Sequence, residues 1–269
     1  MIITSKKILR YIIKNVHFSD HPFDIEDCDA VKFSNCKRNI NAKGFHKQKE
    51  FTSIIDLTQD LETIWQRMNK NTTSSIKRAK KEGITIQKCQ VYERFFPIYQ
   101  SFIHKKGFKS IFDVFGVGTT TLKEMKNHGT LFVSCLDGEL LSGVLFLENQ
   151  LTIESWISAS KRLEVEQHMK NLVGCANRLL KWESIQYAKE KGMTEYDLGG
   201  LWPQNETEKD GEKRGINSFK LGFGGNIVTR HSYSKIYSND LKILYTLYNT
   251  KNINKWKKHT PRAPRYAAN

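Results

Sequence analysis

The sequence predicts a mixed α/β (α+β) protein, a mostly antiparallel sheet flanked by helices. Three observations carry this. Residues 130–158 read as three strands, TLFVSCL, LLSGVLFL and LTIESWIS, joined by tight turns at Asp137-Gly138 and Glu148-Asn149-Gln150. Apolar residues recur at helical spacing through two long stretches, about 60–82 and 167–191. Short β-branched runs such as FTSIIDLT and TEYDL stand between these helices. With 269 residues, 39% hydrophobic and 26% charged, the chain has room for a proper core in one large or two small domains.

Residues 1–51 have an irregular pattern, with short apolar clusters among many polar residues. FTSIIDLT then reads as a strand whose Thr58 is placed to cap the following helix. In that helix Leu61, Ile64, Trp65, Met68, Ile76 and Ala79 form the apolar side, and Gly83 supplies the stop. Arg67, Lys70, Lys77 and Lys81 form a basic stripe, which suits a solvated face as well as a binding surface. ITIQKCQV is the next strand. Helices at about 92–106 and 118–128 flank a Gly/Phe-rich turn, GFKSIFDVFGVG. After the three-stranded meander, a helix at about 167–191 buries Met169, Leu172, Val173, Ala176, Leu179 and Leu180 and stops at Gly192. The strand TEYDL runs into Gly199-Gly200 and a mostly polar loop bearing Phe219-Lys220 among glycines. A last strand, NIVTRHSYSKIYS, precedes a C-terminal helix, DLKILYTLYN, and a basic tail.

Nothing approaches the roughly 18 consecutive apolar residues of a membrane span, and the lysine-broken start lacks a signal-peptide cleavage site. A cytoplasmic location follows as the expectation. Five cysteines form no CxxC pair, and Cys89, Cys135 and Cys175 sit in apolar patterns as small buried hydrophobes. His104, His128, His168 and His231 lack ligand spacing, so neither a metal nor a bound cofactor is expected. The net charge of +15 attracts polyanions: nucleic acid, phosphorylated substrates or an anionic membrane face. A lysine-rich, Asn- and Ile-rich composition of the kind AT-rich codons produce would give the same charge.

The element order matches the GNAT acyltransferase plan, and particular segments narrow it. DLTQDLETIWQRMNKNTTSSIKRAKKEGITI, LLSGVLFLENQLTIESWISAS, LLKWESIQYAKEKGMTEYDLGG and GINSFKLGFGG together resemble the Fem family, the FemAB-type aminoacyltransferases that build peptidoglycan cross-bridges. The resemblance spans roughly residues 52–238, the GNAT-like domain; 239–269 is the C-terminal helix and tail. Typical members carry two such domains. Residues 1–51 therefore stand as a remnant of, or substitute for, the second.

In the GNAT plan the third meander strand and the strand after the long helix splay apart, and the acyl donor lies in the gap. Here those edges are Ser155-Trp156-Ile157-Ser158 and Tyr196-Asp197-Leu198-Gly199-Gly200. Unpaired N–H groups there would stabilise an oxyanion; Gly199 and Gly200 suit either close substrate approach or a simple tight turn. Coenzyme A users of this fold carry a Gly-rich pyrophosphate loop before the long helix, whereas this chain reads SASKRLEVEQHMKNLVG. The resemblance therefore implies aminoacyl-tRNA as donor and an amine-bearing cell-envelope precursor as acceptor, with peripheral contact to an anionic membrane. It implies Lys220 facing the developing charge and Phe219 packing on the terminal adenosine. Asp197, the nearest acid, suits either proton acceptance from the amine or a turn hydrogen bond. Trp156 suits the donor channel or the core, and Trp202 an acceptor wall. Two alternatives stay open: an acyl-CoA N-acyltransferase acting on an amino sugar or other small amine, and a non-catalytic module binding tRNA or another polyanion.

Overall fold

A computed structural model of the chain describes residues 1–105 and 121–247. Ten strands form one sheet: β1 (Ile2–Ile8), β2 (Tyr11–His17), β3 (Ala30–Cys36), β4 (His46–Asp56), β5 (Thr85–Cys89), β6 (Thr130–Leu136), β7 (Glu139–Glu148), β8 (Thr152–Ser160), β9 (Glu195–Leu201) and β10 (Asn226–Ile236). Their order is β1-β2-β3-β10-β4-β9-β8-β7-β6-β5. Among the described residues only β2–β3 and β8–β9 pair in parallel. The fold class is as the sequence predicts. Residues 1–51 differ from their irregular reading, because β1 to β3 and the start of β4 join this sheet. Burial alternates along β1, but its buried residues are Thr4 and Lys6 while Ile3 is exposed, so hydropathy does not mark it; β3 is buried at Ala30, Val31, Phe33 and Cys36 without a clean period of two.

The predicted helix over 60–82 is two helices, α1 (Leu61–Gln66) and α2 (Lys70–Lys81). Asn69 breaks the run because its side chain caps α2, accepting from the Thr72 N–H at 2.8 Å. Asp60, not Thr58, caps α1 through the Thr63 N–H; the Thr58 hydroxyl donates to Asp56 instead. Helix α3 (Tyr92–Lys105) and α4 (Leu122–His128) follow, and the predicted turn between them lies outside the described residues. Helix α5 (Gln167–Glu190) matches its predicted span. A helical stretch at 239–247 closes the described chain.

The segment after β9, expected as a loop, holds two helices: α6 (Gln204–Thr207) and α7 (Gly211–Leu221). Asp210 caps α7 by accepting from the Glu212 and Lys213 N–H groups, an interaction worth about 1 kcal/mol. Gly211 and Gly215 mask this helix in the sequence. The glycines of LGFGG serve packing. A Cβ on Gly224 would lie 2.3 Å from the Arg67 carbonyl oxygen, so only glycine lets the end of α7 abut the α1–α2 junction.

The two largest of four hydrophobic clusters among the described residues lie on opposite faces of the sheet. Helices α1, α2 and α5 cover one around Ile64, Ile76, Ala176, Leu180, Tyr196 and Leu198. Helices α3 and α4 cover the other around Phe95, Met125, Leu145 and Ile157. The sheet is strongly curled. Asn35 on β3 hydrogen-bonds Asp197 on β9, three strand positions away, and His17 on β2 meets Trp156 on β8, five positions away. Flat strands would hold these pairs about 14 and 24 Å apart at roughly 4.8 Å per step. The N-terminal strands therefore arch over the sheet face opposite α5.

Candidate active site

Strands β8 and β9 pair at Thr152–Glu195, Ile153–Tyr196 and Glu154–Asp197, and the register ends there. Both strands carry an irregularity at this point. On β8, Phe146 faces Ser155 and Leu145 faces Ile157, leaving Trp156 as an extra residue. On β9, Thr52 faces Gly200 while Ile54 faces Asp197, which leaves one surplus residue in the Leu198-Gly199 step. A bulge bends and twists the strand that holds it; here two adjacent bulges turn neighbouring strands apart. Gly199 has φ +87°, a conformation costly for any residue with a Cβ. The splay expected from the fold plan is thus present, and its cause is local.

Two lysines reach this gap from the helical side. Lys220, in the last turn of α7, donates to the Gly200 carbonyl at 2.6 Å. Its Nζ would lie 3.3 Å from a Cβ on Gly199, a point itself 3.5 Å from the Ser155 carbonyl oxygen. The residue keeps partial exposure while protein crowds the ammonium. Burial lowers its pKa to about 8, with Asp197 opposing. Lys181, from the middle of α5, is 3% exposed and donates to Ser155 Oγ at 2.5 Å. Its Nζ stands 4.8 Å from the Phe146 ring centroid. Burial, and then Lys220, push its pKa well down from the ordinary lysine value. Beside it, Tyr196 is fully buried and shares a 2.7 Å hydrogen bond with Ser184, and burial raises its phenol pKa.

The opposite side of the same strand pair carries acids. Asp197, 1% exposed, accepts from the Thr52 hydroxyl, from Asn35 Nδ2 at 2.5 Å and from the Gly199 N–H at 2.7 Å. Glu154 is half-buried, yet its Oε2 is fully buried and lacks a hydrogen-bond partner. Burial, then the Asp197 charge, raise its pKa to about 8. Trp156 is half-buried against the α3–α4 core, its ring edge-on to His17 at 6.1 Å.

Of the residues singled out in the sequence, Lys220, Asp197, Gly199, Gly200 and Trp156 converge on the splay. Tyr196 lies behind it in the core, and Ser158 is exposed further along β8. Phe219 packs on the α5-side core, with the Arg178 guanidinium 5.1 Å from its ring centroid. Trp202, 41% exposed, stands beyond the glycines with Lys213 Nζ 4.2 Å from its ring centroid. Lys181, Glu154, Asn35 and His17 escaped sequence reasoning. Lys181 sits where α5 buries four consecutive residues, Leu179 to Trp182, so no amphipathic period marks it. Glu154 had a visible signal, an acid inside the strand LTIESWIS. A cavity of about 350 Å³ lined by Arg94, Ile98, Ser101, Glu139, Lys161 and Glu164 lies between α3 and the start of β7 and shares no residue with the splay.

The profile of the FemAB family matches residues 123–251. No curated protein matches the chain. Among solved structures it is similar to FemX, at 15% identity and TM-score 0.59 over 90% of this chain and 85% of that one. It is similar to L-PGS from Bacillus licheniformis at 14% identity and TM-score 0.56, over 91% and 84%. A C-terminal domain from Agrobacterium fabrum, described as that of a candidate lysylphosphatidylglycerol synthetase, aligns at 13% identity and TM-score 0.57, over 92% and 84%. At such identities the structures establish the fold. The profile match over residues 123–251 and the shared fold make the chain similar to the FemAB-type, GNAT-like acyltransferases.

Proposed function

We propose that the protein transfers an aminoacyl group from aminoacyl-tRNA to an amine of a cell-envelope precursor. The observation that carries this reading is the ammonium of Lys220 beside Gly199, Gly200 and Ser155, where β8 and β9 separate. An ester carbonyl seated in the gap would place its oxygen near that cation. Ester aminolysis forms a C–N bond and breaks the C–O bond to the ribose; the proton lost by the amine is balanced by the one gained by the ribose oxygen. The barrier lies in the charge that builds on the carbonyl and leaving oxygens. With a pKa of about 8, Lys220 is mostly protonated at neutral pH and can meet that charge.

The start of α5 supports tRNA over coenzyme A as the source of the acyl group. Glu164 and Glu166 stand where a pyrophosphate would bind, and no glycine is present there. The exposed Arg67, Lys70, Lys77 and Lys81 give the α2 side a basic surface suited to an RNA backbone. A tRNA donor sets the reaction in the cytoplasm, and residues 1–51 take the part of a second domain by walling the acceptor side. The test is to incubate the protein with charged tRNA and amine acceptors and to follow amide formation. Transfer by the native chain and its loss in Lys220→Ala, with folding intact, is the expected outcome. RNA binding without transfer to any amine would instead favour a binding module, and a rise in melting temperature with acyl-CoA would favour the thioester donor.

A further inference from the structure

The face of β8–β9 turned toward the N-terminal strands holds an acid that the fold satisfies only in part: Asn35 hydrogen-bonds Glu154, but one carboxyl oxygen is left over. Glu154 belongs to the last paired step before the strands part. Its neighbour Asp197 is committed, both oxygens accepting from Thr52, Asn35 and Gly199. Glu154 Oε2, in contrast, is buried without a partner. Two residues on, Trp156 supplies a half-buried aromatic face, and behind it stands His17, 6% exposed with its Nδ1 likewise unpartnered. A buried acid beside a second acid, one oxygen unsatisfied, destabilises a fold unless something occupies the site.

The groups facing Glu154 come from four strands: Asp197 on β9, Glu50 on β4, Arg230 on β10 and Asn35 on β3. Burial and the two acids raise its pKa to about 8, while Asn35 and Arg230 act the other way. An N–H donor carrying positive charge would satisfy Oε2 and offset the charges of Asp197 and Glu50. His17 is not that cation: burial lowers its pKa to about 4 and keeps the imidazole neutral.

The geometry points to Glu154 as the seat of a primary ammonium, held between its carboxyl group and the face of Trp156 on the acceptor side of the splay. Identifying that ammonium with the attacking group rests on the aminoacyl-transfer reading. Docking RNH3⁺ displaces the carboxyl proton to solvent. The bound ammonium then passes one proton to the Glu154 carboxylate, which regains its resting form, and the neutral amine is free to attack through the gap. A carboxyl and an aromatic face are an established way to hold an alkylammonium.

The ligand-binding step can be read without any transfer. In full-length protein the Glu154 carboxyl ¹³C resonance, assigned by its absence from Glu154→Gln (or Glu154→Asp should the amide not fold), is titrated with pH. The additions are n-butylammonium, n-pentanol, or sodium chloride at matched ionic strength. The expected result is a midpoint that falls by about one pH unit or more with n-butylammonium alone, the size an opposite charge at contact imposes. A midpoint indifferent to n-butylammonium, or moved equally by sodium chloride, overturns the seat. Transfer that depends on Lys220 while this midpoint ignores the amine would sink the seat and leave the transferase reading standing. A midpoint that responds in a protein without transfer would do the reverse.

Discussion

The two faces of one strand pair carry opposite chemistry. On the α5–α7 side of the splay stand Lys181 and Lys220; on the side of the N-terminal strands stand Glu154 and Asp197. Burial pulls both sets toward neutrality, lysines downward and Glu154 upward, so that Lys220 and Glu154 arrive at about the same pKa, about 8. Asp197 is felt on both faces: it raises the pKa of both lysines and of Glu154. The difference teaches how a thin divider can separate two jobs. In the proposed reaction the Lys220 ammonium would meet the carbonyl oxygen on one side and Glu154 the amine on the other, with the bulges opening the gap between them.

Removing the cation nearest the gap should have the largest effect. Lys220→Ala is expected to lower amide formation from charged tRNA by about 100-fold or more, the range seen when one charge-stabilising donor is lost. Normal transfer in that variant would erase the distinction between the faces. Gly199→Ala should come next. Its backbone is in the left-handed region and its Cβ would press on Lys220 Nζ at 3.3 Å, so a loss of about tenfold in transfer and roughly 1 kcal/mol in stability is expected by kinetics and denaturant melts.

The two faces should also differ in pH dependence. Glu154 binds its proton more tightly folded, pKa about 8 against 4.5, so its contribution makes stability fall as pH rises from about 4.5 to 8. Lys220 is held at about 8 against 10.5, so its contribution makes stability rise between about 8 and 10.5. Each slope is at most about 1.4 kcal/mol per pH unit. Melts across pH of Glu154→Gln and Lys220→Met should each lose one slope, in separate windows. The smallest effect is expected from Lys181→Met. Because burial already holds Lys181 toward its neutral form, the alkaline limb of the transfer profile should stay in place, with stability equal to or above that of the native chain.

Much of this arrangement was legible in the sequence because its signals are local. The meander, α5 and the Gly199-Gly200 strand are written in turn residues and periodicity, and the Phe219-Lys220 pair stands out among glycines. What escaped depends on distant partners. No spacing announces that Asn35 will reach Asp197, since that contact exists only because the sheet curls. Helix α7 was hidden by Gly211 and Gly215, whose poor propensity is outweighed by the Asp210 cap and by docking of the following glycines on Arg67. Lys181 was hidden by its surroundings, apolar residues that conceal a polar head turned toward Ser155.

A crystal structure with an adenosine bearing an amide-linked 3′-aminoacyl group, a stable copy of the charged tRNA end, would show directly whether Lys220 meets the donor carbonyl. The carbonyl should lie between Ser155–Ile157 and Leu198–Gly200, its oxygen within hydrogen-bond distance, about 3 Å, of Lys220 Nζ. A carbonyl bound elsewhere, with the Lys220 ammonium still resting on the Gly200 oxygen, would contradict the account.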